Sequence, residues 1–105
     1  MVIATVKLTV IGSGDAFGSG GRLNTCFYVE TPLVNFLIDC GVSVLPGLKK
    51  NDIEISNIDM ILITHFHGDH FGGIPFFLLE AAVYHREKPL TIISPPGCKE
   101  KINQL

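Results

Sequence analysis

The sequence predicts an α/β fold, and three features of the chain lead to this prediction. Residues 60–64 form a short apolar run rich in β-branched side chains, as in a strand buried on both faces. Residues 74–87 carry apolar side chains at helical spacing. The loop between them holds polar side chains, and α/β proteins usually build their sites where a strand ends and a helix begins. We therefore expect the 60–64 strand to be central and the 74–87 helix to cover one face of its sheet.

The segments before this unit add a strand, a hairpin and a short helix. Residues 5–11 alternate enough to form a first strand, and a glycine-rich loop follows it. Residues 24–30 and 33–40 flank a turn at Thr31 and Pro32, which is typical of a hairpin. Residues 42–50 are predicted as a short helix, which Pro46 and Gly47 weaken, and residues 53–58 as a connector.

The segments after residue 64 complete the order of elements. Glycines in the 65–73 loop supply a permissive backbone where the chain must fold closely. Pro75 is tolerated in the first turn of the 74–87 helix, and Pro89 ends it. Residues 90–94 are predicted as another strand, and residues 99–105 as the beginning of a helix. The helix residues at apolar spacing are Ile74, Phe77, Leu78, Ala81 and Tyr84.

Three of the four histidines lie within six residues, directly after the 60–64 strand. They are His65, His67 and His70, and Asp69 completes the pattern His-x-His-x-Asp-His. Imidazole and carboxylate groups are the usual ligands of zinc, manganese and iron in hydrolytic enzymes. A single histidine is mostly a surface or core residue, but a structural cluster of three would repel itself on protonation and gain nothing in packing. Spacing and context together therefore predict a metal site.

The same pattern indicates two metal ions. His65 and His67 are separated by one residue, so a tight loop can direct both at one ion. Asp69 and His70 then point elsewhere and can serve a second ion. Two ions a few ångströms apart hold an attacking hydroxide against a polarised substrate in phosphodiester and ester hydrolases.

The segment from Thr64 to Pro75 resembles the metallo-β-lactamase superfamily, and within it the ribonuclease Z-like metal-dependent hydrolases. Two other segments share this resemblance. Residues 11–22 resemble the glycine-rich loop after the first strand of that branch. Residues 36–41, Phe-Leu-Ile-Asp-Cys-Gly, resemble the strand whose terminal Asp-x-Gly lies beneath the metal site. The resemblance spans about residues 8–97.

The resemblance implies a fold and a set of ligands. The fold is the metallo-β-lactamase-like four-layer αββα sandwich, of which this chain would be the N-terminal half. His65 and His67 would bind the first ion, and Asp69 and His70 the second. The expected cofactor is Zn2+, two per complete site, with Mn2+ or Fe2+ as alternatives. In the family, a further histidine on each ion and a bridging aspartate come from later in the chain, and His85 should not reach the site.

Three aspartates receive separate roles. Asp69 is the expected catalytic group, because the resemblance implies that it holds or accepts a proton of the nucleophile. Asp39 should lie beside the His65 strand, where its carboxylate can accept the free N–H of a ligating histidine. Thr64 is expected to support the ligands with it. Asp15 is assigned a simple Asx turn, although the amides of its loop could cradle a substrate phosphate.

The composition predicts an apolar surface that another polypeptide covers. Charged residues make up only 17% of the chain, against about a quarter in typical soluble domains. Mean hydropathy is +0.40, and the 74–87 helix is apolar nearly all round. We therefore expect residues 1–105 to form one metallo-β-lactamase-like domain, as its N-terminal and incomplete portion. Its expected partners are a complementary C-terminal half or another copy of the chain.

Cysteine usage and charge restrict the setting and the substrate. Cys26, Cys40 and Cys98 are odd in number and lack metal-type spacing. With no secretory or membrane segment in the sequence, we expect reduced thiols in the cytoplasm and no membrane partner. The net charge of −2 gives no sign of a nucleic-acid binder.

Metal-assisted hydrolysis is the predicted function. Two ions would share a water, depress its pKa and stabilise the developing oxyanion. A small-molecule or RNA phosphodiester is the leading substrate. Hydrolysis of an ester, a lactone or a thioester is an alternative, because fold and metal motif do not select the substrate. A third alternative is a half-domain without activity that functions only within an assembly.

Overall fold

The computed structural model describes residues 5–104, which form a five-stranded mixed sheet and four helices. The strands are β1 (Lys7–Gly12), β2 (Cys26–Glu30), β3 (Asn35–Ile38), β4 (Met60–Leu62) and β5 (Thr91–Ile93). They lie in the sheet in sequence order. The pairs β1·β2 and β2·β3 are antiparallel, and the pairs β3·β4 and β4·β5 are parallel. The predicted hairpin and the α/β class are confirmed.

The helices are α1 (Val44–Lys50), α2 (Gly68–Phe71), α3 (Ile74–Val83) and α4 (Cys98–Asn103). The sequence did not predict α2, which lies inside the histidine loop. The predicted connector holds a 3-10 turn at Ile55–Asn57. The strand predicted over residues 60–64 is interior to the sheet, but the middle position belongs to β3. None of the helices among residues 5–104 is long and apolar enough to cross a membrane.

The helix predicted over residues 74–87 ends earlier than expected, at Val83. His85 adopts a left-handed conformation with φ of 55°. Its N–H bonds the carbonyl of Ala82, and the N–H of Arg86 bonds the carbonyl of Ala81 at 2.8 Å. This pair of bonds is a Schellman motif, which satisfies the last carbonyls of the helix. The helix therefore stops before Pro89 has any effect.

The core lies between one face of the sheet and the helices. Tyr28, Leu37 and Ile61 point from neighbouring strands into a buried cluster that also contains Leu48 and Phe77. Phe77 is fully buried, as the helical spacing predicted. Leu78 does not join it and is 39% exposed, because it lies on the flank of α3.

The opposite face of the sheet is almost entirely apolar. We call it the open sheet face. Its members follow from the strand register: Leu8, Val10, Phe27, Val29, Phe36, Ile38, Met60, Leu62, Thr91 and Ile93. Leu8, Val10 and Ile93 remain 50–58% exposed. Large exposed apolar surfaces are uncommon on monomeric soluble proteins, and this one contributes to the high hydropathy of the chain.

Candidate metal centre

Asp39 lies at the carboxyl edge of the sheet, one residue after β3. It is 2% exposed and has a φ of 65°, a left-handed conformation that aspartate tolerates better than most residues. Its N–H donates to the carbonyl of Leu62 at 2.7 Å. Because β3 and β4 are parallel, this bond places the carboxylate directly beside Thr64 and the histidine loop.

The Asp39 carboxylate is surrounded by donors. The N–H of Thr64 lies 2.8 Å from Oδ1, and the Thr64 hydroxyl lies 2.9 Å from Oδ2 and 3.0 Å from Oδ1. Nδ1 of His70 lies 2.7 Å from Oδ2. The predicted contact between Asp39 and a histidine of the motif is therefore present in the structure.

The three histidine rings are brought together. The ring centroid of His65 lies 4.6 Å from that of His67 and 4.0 Å from that of His70. Nδ1 of His65 lies 2.9 Å from the Thr64 hydroxyl, so that hydroxyl stands between His65 and Asp39. Nε2 of His70 lies 3.2 Å from Oδ2 of Asp69.

Close backbone packing holds this loop against the end of β3. The N–H of Cys40 donates to the carbonyl of His70 at 2.7 Å, and the N–H of Gly73 donates to the carbonyl of Cys40 at 2.9 Å. A Cβ at Gly41 would lie 2.1 Å from the carbonyl oxygen of Asp69, and one at Gly73 would lie 1.9 Å from that of Gly41. The Asp-x-Gly segment thus needs its glycine because two backbones touch there.

The Asp69 and His70 pair fits one ion. Zinc holds nitrogen and oxygen ligands at about 2.0–2.1 Å, which gives a tetrahedral edge of about 3.3 Å between two ligand atoms. The observed separation of 3.2 Å between Asp69 Oδ2 and His70 Nε2 is close to that edge. Among residues 5–104, no three histidine, cysteine or acidic side chains converge on a single point suited to an ion.

The glycine-rich loop is closed by its own aspartate. Oδ1 of Asp15 accepts the N–H groups of Phe17 and Ser19, each at 3.0 Å, and Oδ2 accepts the Ser19 hydroxyl. The side-chain and backbone hydrogen bonds from Ser19 are the main cause of a lowered pKa for Asp15. The predicted Asx turn is confirmed. The alternative of a phosphate cradle is wrong for these two amides, because the Asp15 carboxylate already occupies them.

A cleft of about 460 Å³ lies between this loop and the histidine loop. It is lined by Ala16, Asn24, Val42, His67, Gly68 and Asp69. Asn24 is 7% exposed, and its Nδ2 donates to the carbonyl of Asp15 at 3.1 Å, which holds the glycine-rich loop against the segment before β2. Sequence reasoning missed Asn24 and Val42, since neither carries a local signal and both reach the cleft only through tertiary contacts.

The two cysteines near this edge are buried and inert. Cys40 is fully buried, and burial raises the pKa of its thiol well above the usual range. Burial also raises the pKa of Cys26 to about 12. Thiols held in the neutral form are poor metal ligands, so the imidazoles and carboxylates are the ligands available here.

Comparisons with known proteins bear on this arrangement. Residues 6–104 match the family model described as Anti-Pycsar protein Apyc1. The chain is 32% identical to a ribonuclease Z of Picrophilus torridus over 97% of its own length and 33% of that protein. It is 40% identical to an Anti-Pycsar protein Apyc1 of Bacillus phage BSP38 over 81% of its length and 32% of that protein.

A solved structure shows the same likeness. The human short-form tRNase Z superposes with a TM-score of 0.81 at 29% identity, and the match covers 97% of this chain and 39% of that one. The chain thus spans about a third of the length of the curated relatives it matches.

Proposed function

Because the chain belongs to the Anti-Pycsar protein Apyc1 family, within the ribonuclease Z-like branch of the metallo-β-lactamase superfamily, we propose that it provides the histidine-bearing half of a metal-dependent phosphodiester hydrolase. Its fold is the N-terminal half of a four-layer αββα sandwich, with one sheet and the helices on its outer side. The open sheet face is the surface that the second sheet covers in such a sandwich. This position explains why Leu8, Val10 and Ile93 remain at least half exposed.

The ligands proposed from the residues present are two pairs. His65 and His67 bind one ion, and Asp69 and His70 bind the other. Catalytic zinc sites hold three protein ligands and leave one position to water or substrate. Each ion therefore takes at least one more ligand from outside residues 5–104. Zinc is the ion that this set of imidazoles and carboxylates fits best, and manganese or iron would be accepted by the same atoms.

Proton counting supports these assignments at His70. The Asp39 carboxylate is an acceptor only, so the short contact from His70 requires a proton on Nδ1. Nε2 is then the ring nitrogen of His70 that is left to face an ion, and it lies 3.2 Å from a carboxylate oxygen of Asp69, close to the separation of two ligand atoms on one zinc ion.

Thr64 connects Asp39 to His65 and so fixes the position of the ring proton of His65 as well. Its hydroxyl has one proton, which goes to Asp39 because a carboxylate is the stronger acceptor. The hydroxyl oxygen is then free to accept a hydrogen bond from the N–H at Nδ1 of His65, 2.9 Å away. His65 and His70 therefore both hold their proton on Nδ1 and present Nε2 to an ion, although they serve different ions. One buried carboxylate thus sets the tautomer of a ligand at each site.

When bound, the two ions would supply a hydroxide near neutral pH and stabilise the oxyanion that develops on phosphorus. Asp69 would hold or accept a proton of the nucleophile, since its side chain lies at the wall of the cleft. The network centred on Asp39 is the observation that carries this proposal, because it engages Nδ1 of His65 and of His70 and leaves Nε2 of each ring for an ion. The ribonuclease Z and tRNase Z names of the relatives favour a phosphodiester as the substrate.

Metal content and turnover test the proposal together. The variant with both His65→Ala and His67→Ala should lose metal at one site, measured as zinc per protein by elemental analysis. His85→Asn is the matched control, because His85 lies beyond α3 and asparagine also accepts its left-handed backbone. Unchanged stoichiometry in the double variant would overturn the ligand assignment.

The substrate class is tested on the metal-loaded protein with three compounds. Bis(p-nitrophenyl) phosphate should be hydrolysed faster than a lactone or a thioester, and chelation should stop the reaction. Preferred cleavage of the lactone or thioester would replace the proposed substrate while keeping the mechanism. Tight metal binding without turnover of any of the three would instead favour a half-domain that works only within an assembly.

A further inference from the structure

Phe66 lies between the two histidines that are proposed to share one ion, and its side chain takes a different direction from theirs. The ring centroids of His65 and His67 lie 4.6 Å apart, so both imidazoles extend to the same side of the chain. Phe66 is half-buried and packs against the hydrophobic core. The Cα atoms of both histidines lie one peptide, about 3.8 Å, from that of Phe66. A change of backbone angle at Phe66 would therefore redirect both imidazoles.

The Phe66 ring is held by a second aromatic ring from the other end of the histidine loop. Its centroid lies 5.4 Å from that of Phe71, with 71° between the two ring planes. An edge-to-face pair at this distance is favourable beyond the apolar area that it buries. Phe71 is itself only 6% exposed, and its N–H donates to the carbonyl of His67 at 3.2 Å. Three of the four proposed ligands thus lie between the two rings, and the fourth directly precedes Phe66.

Helix α4 contributes a further contact to the Phe66 ring. Nζ of Lys101 lies 5.7 Å from its centroid, within the range of a cation–π interaction. Ile102, the next residue of that helix, packs against the same core cluster as Phe66. Phe66 is therefore held by contacts in which no proposed ligand atom takes part, so its position does not depend on a bound ion.

We infer that Phe66 is a positioning residue of the metal centre, because its contact with Phe71 fixes the directions of His65 and His67. The inference rests on the proposed function. Zinc takes its ligands in a tetrahedral arrangement at about 2.0–2.1 Å, so two imidazoles must approach it from particular directions. A loop that is free to move at Phe66 would lose conformational entropy when it binds the ion, and its affinity would fall.

Phe66→Ala removes the pair of rings and retains every proposed ligand atom. In the full-length protein, the zinc affinity at one of the two sites should fall by about ten- to a hundredfold, as is usual when residues that orient metal ligands are lost. Competition with a chromophoric chelator measures this affinity. The visible absorption of the cobalt(II)-loaded protein should also weaken and shift, because it depends on ligand geometry. Phe66→Tyr should restore both properties, since tyrosine keeps the ring and the half-exposed position leaves its hydroxyl access to water.

Phe77→Leu is the matched control, because Phe77 is fully buried in α3 and lies outside the histidine loop. It should lower the urea midpoint of the zinc-free protein but change neither the zinc affinity nor the cobalt spectrum. A purely structural role for Phe66 would give the same pattern. Parental zinc affinity and cobalt spectrum in a folded Phe66→Ala protein would therefore overturn the inference. If Phe66→Ala does not fold, Phe66→Leu takes its place, because leucine keeps most of the apolar volume without the flat ring, and parental values there would overturn it equally.

Zinc binding by the parent protein separates the two proposals. If the parent protein binds zinc and the folded Phe66 variant binds it equally well, the positioning role is wrong and the proposed function stands. If elemental analysis finds no zinc bound to the parent protein, the proposed function itself fails.

Discussion

Replacement of Asp39 by Asn should weaken zinc binding in a protein that still folds. Asparagine has nearly the same shape as aspartate and also tolerates the φ of 65° at this position. The change therefore leaves the backbone in place and alters only the chemistry of one atom. Asparagine carries one acceptor oxygen and one donor group where the carboxylate carries two acceptors.

Either orientation of the new amide creates a conflict. If the nitrogen faces Nδ1 of His70, 2.7 Å away, two donors meet and His70 must move its proton to Nε2. That atom would then be unable to bind an ion. If the nitrogen faces the N–H of Thr64 instead, 2.8 Å away, a backbone donor loses its partner in a buried environment.

The magnitude follows from the charge-assisted bonds that are lost. Hydrogen bonds to a charged group contribute about 1.5–3 kcal/mol, and 1.4 kcal/mol is about tenfold in an equilibrium constant. The second-site zinc affinity should therefore fall by about ten- to a hundredfold, as is usual for partners of metal-bound histidines. The free energy of unfolding of the zinc-free protein should fall by about 1–3 kcal/mol, the usual cost of one unsatisfied buried donor.

Competition with a chromophoric chelator measures the zinc affinity, and urea denaturation measures the stability. Asp52→Asn is the control, because Asp52 is exposed and has a φ of 55°. It should change neither quantity by much. A folded Asp39→Asn protein with the zinc affinity of the parent would refute the reasoning, because the tautomer of His70 would then not depend on Asp39.

Two further predictions concern titratable groups elsewhere in the molecule. In the native protein, Ellman's reagent should react rapidly with Cys98 only, because Cys26 and Cys40 are no more than 1% exposed and burial raises the pKa of both thiols. All three thiols should react in urea. More than one rapidly reacting thiol in the native protein would contradict this prediction. The Lys88 ammonium, together with a backbone N–H, lowers the pKa of Asp59, so the stabilisation from Asp59 is present above pH of about 4 and is lost as pH falls through the lowered pKa. Asp59→Asn should therefore show a smaller loss of unfolding free energy between about pH 4 and pH 2 than the parent protein, and identical acid profiles would rule the interaction out.

Element type could be predicted from the sequence because local periodicity carries it. The apolar run before His65, the hairpin around Thr31 and the helix beginning at Ile74 are all present. The end of α3 was less predictable, since the helix stops at a Schellman motif built around His85 and not at the proline that follows. A histidine in a left-handed conformation has no distinct sequence signal.

The candidate site shows the same division. The motif predicted which side chains would gather, because ligands in one short loop cannot lie far apart. The motif could not show that the Thr64 hydroxyl stands between His65 and Asp39, since that contact depends on the parallel pairing of β3 and β4. Nor could it show that Asp15 would occupy the amides of its own loop.

The sequence by itself determined the family, the α/β class and the group of proposed ligands, because each depends on residue type and local spacing. The tertiary structure alone decided which histidine meets Asp39 and which residues line the cleft. It also showed that ten residues from five strands form one open sheet face. These features join segments that are distant in the chain. Strand register sets which of their side chains come together, and no local sequence pattern specifies that register.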